Sequence, residues 1–115
     1  MQVTMQLSDE LAKELIPAQR WLPLILELSL ARLTTPAATT AAEIVDSLLN
    51  NPTPDALLRL HVSERAQLRL QRLLALNAAA LLGEEEQEEL DELQRIEHIL
   101  VLAKARVAAS QRAKQ

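Results

Sequence analysis

The chain has 115 residues, a mass of 12.8 kDa, a formal net charge of −4 and no cysteine. This length allows one domain and leaves no room for a deep catalytic cleft. The lack of cysteine excludes a disulfide framework and a thiolate zinc site, and it predicts a cytoplasmic location. The acidic balance disfavours general affinity for nucleic acid, because the whole molecule repels phosphate.

Apolar residues make up 49% of the chain, yet Trp21 is its only aromatic residue. A core made of leucine, isoleucine, valine and alanine is typical of helices packed on helices. The apolar stretches are far shorter than a membrane span, so no membrane partner is expected. The fold class predicted is mainly α.

The one exception is the start of the chain, where residues 2–7 alternate polar and apolar side chains. This pattern predicts a short N-terminal β-strand. Such a strand is not stable alone, and no other segment has a strand pattern. We therefore expect it to pair with the same segment of a second copy, which predicts a homodimer.

Two helices are predicted after this strand. Ser8 caps a short first helix, which ends at Pro17. The second runs over residues 19–33 and is apolar on nearly every side, so it requires burial on several sides. We expect a second subunit to provide part of that burial, with an interface that includes Trp21, Ile25 and Leu28.

Three regions are predicted along the chain. Residues 1–33 form the dimerisation unit, residues 34–59 a linker and short helix, and residues 60–112 an antiparallel helical hairpin. The fold thus contains about five helices. The hairpin has one helix capped by Ser63 and a longer one after Gly83, with a leucine-rich seam between them.

The charges of the hairpin allow two interpretations. Arg65, Arg69 and Arg72 share one helix face, and an acidic run opens the last helix. In the first, the arginines and carboxylates form intrachain ion pairs, with Arg72 near Glu88 and Glu89 and Arg69 near Glu92. In the second, the arginines bind a nucleic acid or an acidic partner, or the acidic run mimics phosphate toward a basic partner.

No catalytic or metal site is predicted. His61 and His98 are the only histidines, and neither forms a His-x-x-x-His or Glu-x-x-His pair. With a single glycine there is no phosphate-binding loop. We expect no enzyme activity, no cofactor and no small-molecule substrate.

The order of strand, short helix and longer helix over residues 2–33 resembles a ribbon-helix-helix domain, the dimeric fold of many small bacterial repressors and antitoxins. The resemblance implies that two strands pair across the dimer axis and enter the major groove. On this basis Val3, Met5 and Leu7 face the dimer interface. Gln2, Thr4 and Gln6 face the DNA bases.

The hairpin, with Val62 to Asn77 and then Leu82 to Leu93, resembles a unit found in small bacterial proteins that look like antitoxin components. The resemblance implies a dimeric protein that holds a toxin-like protein partner through helical surface and also contacts operator DNA. The alternative is a helical structural or adaptor protein that only oligomerises and binds no DNA. The lack of lysine and arginine in residues 2–7 favours this alternative on the question of DNA.

Overall fold

The computed structural model describes residue 2 and residues 4–113, and it confirms a mainly helical fold. In this part of the chain a 3₁₀ helix, Ile16–Trp21, joins the first two of six α-helices. The helices are α1 (Asp9–Leu15), α2 (Leu22–Ser29), α3 (Ala37–Leu49), α4 (Pro54–Leu58), α5 (Glu64–Ala78) and α6 (Glu84–Ala113).

The predicted N-terminal strand is wrong, because none of the described residues belongs to a β-strand. Residue 2 and residues 4–8 precede α1 without regular structure, and Met5 is 67% exposed. An alternation of six residues buries at most three side chains, and the described chain offers no second strand to pair with. The dimer predicted from pairing of this strand is therefore wrong as well. Val3 lies outside the described residues.

The helix starts predicted from side-chain caps are confirmed. The Oγ atom of Ser8 accepts a hydrogen bond from the Leu11 amide at 3.2 Å, and Ser63 does the same for Ala66 at 3.2 Å. At the start of α6 the amide of Gly83 donates to the Glu86 carboxylate at 3.1 Å, which is one half of a capping box.

The middle of the chain differs from its predicted boundaries. The helix predicted for residues 19–33 is shorter as α2, because the backbone leaves α-helical geometry at both ends: Trp21 has φ −103° and ψ 8°, and Leu30 has φ −92° and ψ 2°. Pro23 lies in the first turn of α2, where its missing N–H costs nothing. Residues 34–59, predicted to be a linker and a short helix, contain all of α3. At its start the Thr35 hydroxyl accepts a hydrogen bond from the Ala37 amide at 3.2 Å.

One continuous core joins the N-terminal and C-terminal helices. α6 contributes Leu93, Ile96 and Leu100, which are at most 3% exposed. Residues 34–59 contribute as well, since Leu48 of α3 and Leu57 of α4 are fully buried. α5 and α6 form the predicted helical hairpin, joined at residues 79–83.

The molecule is less compact than a typical domain of its length. Its radius of gyration is 16.2 Å, against about 13 Å for a compact domain of this size. α6, with 30 residues, accounts for this, because a helix of that length spans about 45 Å and the longest molecular dimension is 47 Å. Among the described residues, no helix is both long enough and apolar enough to cross a membrane.

Candidate functional site

α2 lies antiparallel against α6, and polar contacts fix their register. Glu27 of α2 pairs with Arg106 at 3.5 Å, and Arg95 donates to the carbonyl of Ala31 at 2.8 Å. Residue numbers thus rise along one helix as they fall along the other. This register decides which exposed side chains of the two helices are neighbours.

Three exposed leucines lie along this pair of helices. Leu26 of α2 is 48% exposed, Leu30, which directly follows α2, is 75% exposed, and Leu102 of α6 is 41% exposed. Leu30 and Leu102 both fall between the two polar contacts that fix the register. We call Leu26, Leu30 and Leu102 the leucine surface. The guanidinium groups of Arg95 and Arg106 border it on α6.

A buried carboxylate holds this surface in place. Glu92 of α6 is 7% exposed and accepts hydrogen bonds from the backbone amides of Thr34 and Thr35 at 3.0–3.1 Å. It also accepts from both threonine hydroxyls, at 3.0 and 2.7 Å. Burial raises the pKa of the Glu92 carboxyl, but these hydrogen bonds outweigh that effect and hold the pKa below its usual value. Glu92 therefore ties the connection between α2 and α3 to α6 as an anion.

A second carboxylate joins α5 to α6. Glu89, which is 8% exposed, accepts two hydrogen bonds from Arg69, at 2.9 Å from Nε and 2.8 Å from a terminal nitrogen. The hydrogen bond to Glu89 is the main reason that the pKa of Arg69 is raised. The predicted intrachain pairing is thus found with shifted partners: Arg69 contacts Glu89 rather than Glu92, and Arg65 contacts Glu43 of α3 at 2.8 Å.

An open groove of about 430 Å³ lies on the other side of α2, between α2 and α3. Arg32 and Asp46 also line this groove, and both are exposed. Its apolar wall combines small alanines of α3 with larger side chains; these residues are Leu28, Leu33, Ala38, Ala41, Ala42 and Val45. We call it the α2–α3 groove.

A smaller crevice surrounds the single tryptophan. The indole N–H of Trp21 donates to the carbonyl of Pro52 at 2.8 Å, and the Arg20 guanidinium lies 5.9 Å from the ring centroid. Both contacts are internal to the chain. They fix the 3₁₀ helix on the turn before α4.

The predicted interface and DNA-contacting residues lie in two different environments. Trp21, Ile25 and Leu28 are 3–7% exposed in the core of their own chain, which leaves them little surface for a second subunit. Met5 and Leu7 are exposed, as are Gln2, Thr4 and Gln6, and none of these five belongs to a strand. The structure therefore does not bring these eight described positions into one site.

The buried roles of Glu89 and Glu92 are not predicted from the sequence. A signal for them was present, because both positions fall on the apolar face of α6 that carries Leu93, Ile96 and Leu100. A carboxylate on a buried face requires hydrogen-bond donors.

Within the described residues, no group of three or more histidine, aspartate or glutamate side chains is arranged to hold a metal ion. Nδ1 of His61 lies 3.1 Å from the Gln67 side-chain amide, and His98 is exposed on α6. Comparison with protein families, with curated proteins and with solved structures finds no match.

Proposed function

We propose that the protein is a helical interaction protein that binds a protein partner through the leucine surface of α2 and α6. The observation that carries this proposal is the exposure of Leu26, Leu30 and Leu102 along the α2–α6 pair, while other leucines of the same helices are buried. Exposed apolar groups that are bordered by charge are typical of binding sites.

The charges beside this surface indicate the chemistry of the partner. Arg95 uses one terminal nitrogen for the Ala31 carbonyl, and Arg106 is 68% exposed in its pair with Glu27. Both guanidinium groups therefore keep donors directed to solvent. A partner with an amphipathic helix, apolar on one face and acidic at its edge, fits both features.

The resemblance of the hairpin to antitoxin components adds a more specific proposal, in which the partner is a toxin-like protein and binding blocks its active surface. The lack of cysteine suits a reducing compartment, so we place this interaction in the cytoplasm. DNA binding through a paired ribbon forms no part of this function, since the described N-terminal residues form no strand.

The test is a comparison of three tagged proteins in pull-downs from native cell extract, followed by mass spectrometry. The variant combines Leu30→Glu with Leu102→Glu. The matched control is Leu68→Glu, which places the same charge on an exposed leucine (59%) of α5. We expect one protein to be recovered with the wild type and the control and lost with the double variant.

Two outcomes would count against the proposal. Recovery of the same proteins with all three baits would show that the leucine surface binds none of them. Recovery of the chain alone would favour the alternative of a structural protein that only oligomerises. If the recovered protein is encoded beside this gene and slows growth when expressed alone, the toxin-like class of partner is supported.

A further inference from the structure

The side of α6 that points away from the core is apolar in its C-terminal half. Val101 and Leu102 are 58% and 41% exposed, and Ala105 and Ala109 are exposed as well. At about 100° per residue, these side chains lie within about 50° of one direction around the helix axis. We call Val101, Leu102, Ala105 and Ala109 the α6 face. Since all four are exposed, the described part of the chain leaves this face open.

The residues along this side of α6 are spaced as in a pair of helices. Two series with intervals of seven run through the α6 face, namely Asp91, His98, Ala105 and Arg112, and Gln94, Val101 and Ala108. Offsets of three and four between two such series place their positions along one seam, as in a coiled coil. The seam is apolar over residues 101–109, acidic at its start and basic at its end.

Antiparallel pairing of two copies brings the opposite charges of the seam together. Asp91 lies ten residues before Val101, and Arg112 lies ten residues after Leu102. A two-fold axis between Val101 and Leu102 therefore places Asp91 of each copy opposite Arg112 of the other. Both side chains are exposed, and neither has an ion-pair partner among the described residues. Glu88, one turn before Asp91, adds negative charge at the same end.

The charges at the edges of the seam agree with this register. On the edge away from α2, Glu97 of one copy lies near Lys104 of the other, and neither is ion-paired within the described chain. On the edge beside α2, Arg95 and Arg106 are bonded to groups of their own chain. His98, in the seam itself, meets apolar side chains of the second copy. Antiparallel pairing thus sets opposite charges against each other on both sides of the axis.

The leucine surface lies beside this seam. Leu30 and Leu102 fall between the two polar contacts that fix the register of α2 and α6, as does the two-fold axis beside Val101. In an antiparallel pair a two-fold axis brings the same edge of both helices together. The α2 edges of two copies therefore lie side by side, and Leu102 lies next to Leu102 of the second copy.

We propose that two copies of this chain form an antiparallel dimer through their α6 faces, with the two-fold axis between Val101 and Leu102. A seam that is acidic at one end and basic at the other is complementary to its own copy only when the two run in opposite directions. Each contact occurs twice in such a dimer. The second copy is thus selected by the order of charges along the seam as well as by its apolar middle.

The dimer also regulates the site of the proposed function. Because the leucine surface lies beside the seam, the second copy covers it, and a partner protein must displace that copy in order to bind. This competition rests on the proposed function, whereas the dimer does not. The mass measurements below need no partner protein, so failure of the dimer and failure of the partner-binding proposal are separate results.

Sedimentation equilibrium of the full chain measures the mass in solution. We expect twice the chain mass of 12.8 kDa for the wild type. Ala105→Lys should have a single chain mass at the same concentration, because it places a long charged side chain in the middle of the seam. Since Ala105 is exposed, circular dichroism should show an unchanged helix content. Ala75→Lys, on an exposed alanine of α5, is the matched control and should remain dimeric.

A charge exchange tests the antiparallel register. Asp91→Arg and Arg112→Asp should each raise the dimer Kd about tenfold, because like charges then meet at both ends of the seam. An equal mixture of the two variants should form a dimer with one copy of each and a Kd near the wild-type value. In that mixture one chain is positive at both positions and the other is negative at both. A role of Asp91 or Arg112 within its own chain does not predict this rescue.

Three results would overturn the dimer: a wild type of single chain mass at about 100 µM, a dimeric Ala105→Lys variant, or a mixture of the charge variants that gains no association. Pull-downs with Ala105→Lys test the competition. This variant keeps the leucine surface, so it should recover more partner than the wild type, and equal recovery would refute the competition. A partner missing from both baits would argue against the proposed function, while the measured masses would still decide the dimer.

Discussion

Replacement of Glu92 by glutamine tests whether the carboxylate holds the fold together as an anion. Glutamine keeps the shape of the side chain but offers a neutral oxygen and an amide in place of two charged oxygens. The remaining oxygen can still accept from both backbone amides and from the Thr35 hydroxyl, while the new amide N–H₂ faces the backbone N–H and the hydroxyl of Thr34. Two donors then point at each other in a buried position.

The expected loss follows from the hydrogen bonds. Hydrogen bonds to a charged group contribute about 1.5–3 kcal/mol each and neutral ones about 0.5–1.5, so three weakened bonds lose about 3 kcal/mol. Relief of the cost of burying the charge returns about 1 kcal/mol. We expect Glu92→Gln to lower the free energy of unfolding by about 2 kcal/mol at pH 7. Glu88→Gln on the exposed side of α6 is the control and should change it by less than about 0.5 kcal/mol.

The pH dependence gives an independent check by urea denaturation followed by circular dichroism. Because the folded pKa of Glu92 is lowered, its stabilisation is fully present above the unfolded pKa, near 4.3, and is lost as the pH falls through the folded pKa. The difference between wild type and Glu92→Gln should therefore stay constant from pH 7 to about 5 and shrink below about 4. A difference below about 0.5 kcal/mol at pH 7, or one that grows in acid, would refute this account of Glu92.

Two further substitutions test other features of the hairpin. Ala80 has a positive φ of 59° at the end of α5, where the Leu81 amide donates to the Leu76 carbonyl at 2.9 Å. Glycine adopts this conformation without strain, so Ala80→Gly should raise the free energy of unfolding, measured by urea denaturation, by about 1 kcal/mol. An unchanged urea midpoint would contradict the strain assigned to this turn. Arg69→Met should lower the free energy of unfolding by about 2–3 kcal/mol, because it leaves the Glu89 carboxylate buried without its partner. The double variant Arg69→Met with Glu89→Leu should have a free energy of unfolding within about 1 kcal/mol of wild type, measured by thermal unfolding. Equal losses in the single and the double variant would argue against the buried charge as the cause.

Local signals in the sequence predicted local structure well. Ser8 and Ser63 mark helix starts because each cap bonds to an amide three residues ahead, and the leucine spacing of α6 repeats over many turns. Residues 2–7 failed as a strand because alternation states only which side chains share a side, not whether a second strand exists.

Contacts between residues that are far apart in the sequence could not be predicted from such local patterns. Thr34 and Glu92 are 58 residues apart, and nothing near either residue shows that they meet. The acidic run over residues 84–92 has a sufficient local explanation, since negative charge is favoured at a helix start, and this explanation concealed the two carboxylates that are buried, Glu89 and Glu92. The leucine surface also depends on the register between α2 and α6, which packing decides.

The long separation of Thr34 and Glu92 has a consequence for synthesis of the chain. α2 and α3 bury apolar surface against α6, which is made after both of them. Until α6 emerges, the apolar faces of α2 and α3 lack the cover that α6 provides, although every residue of these two helices is already present. Chaperones bind exposed apolar surface of this kind, and proteases cleave chains that expose it. A message truncated before α6 should therefore yield a short-lived product, so that in the cell only chains that contain α6 accumulate.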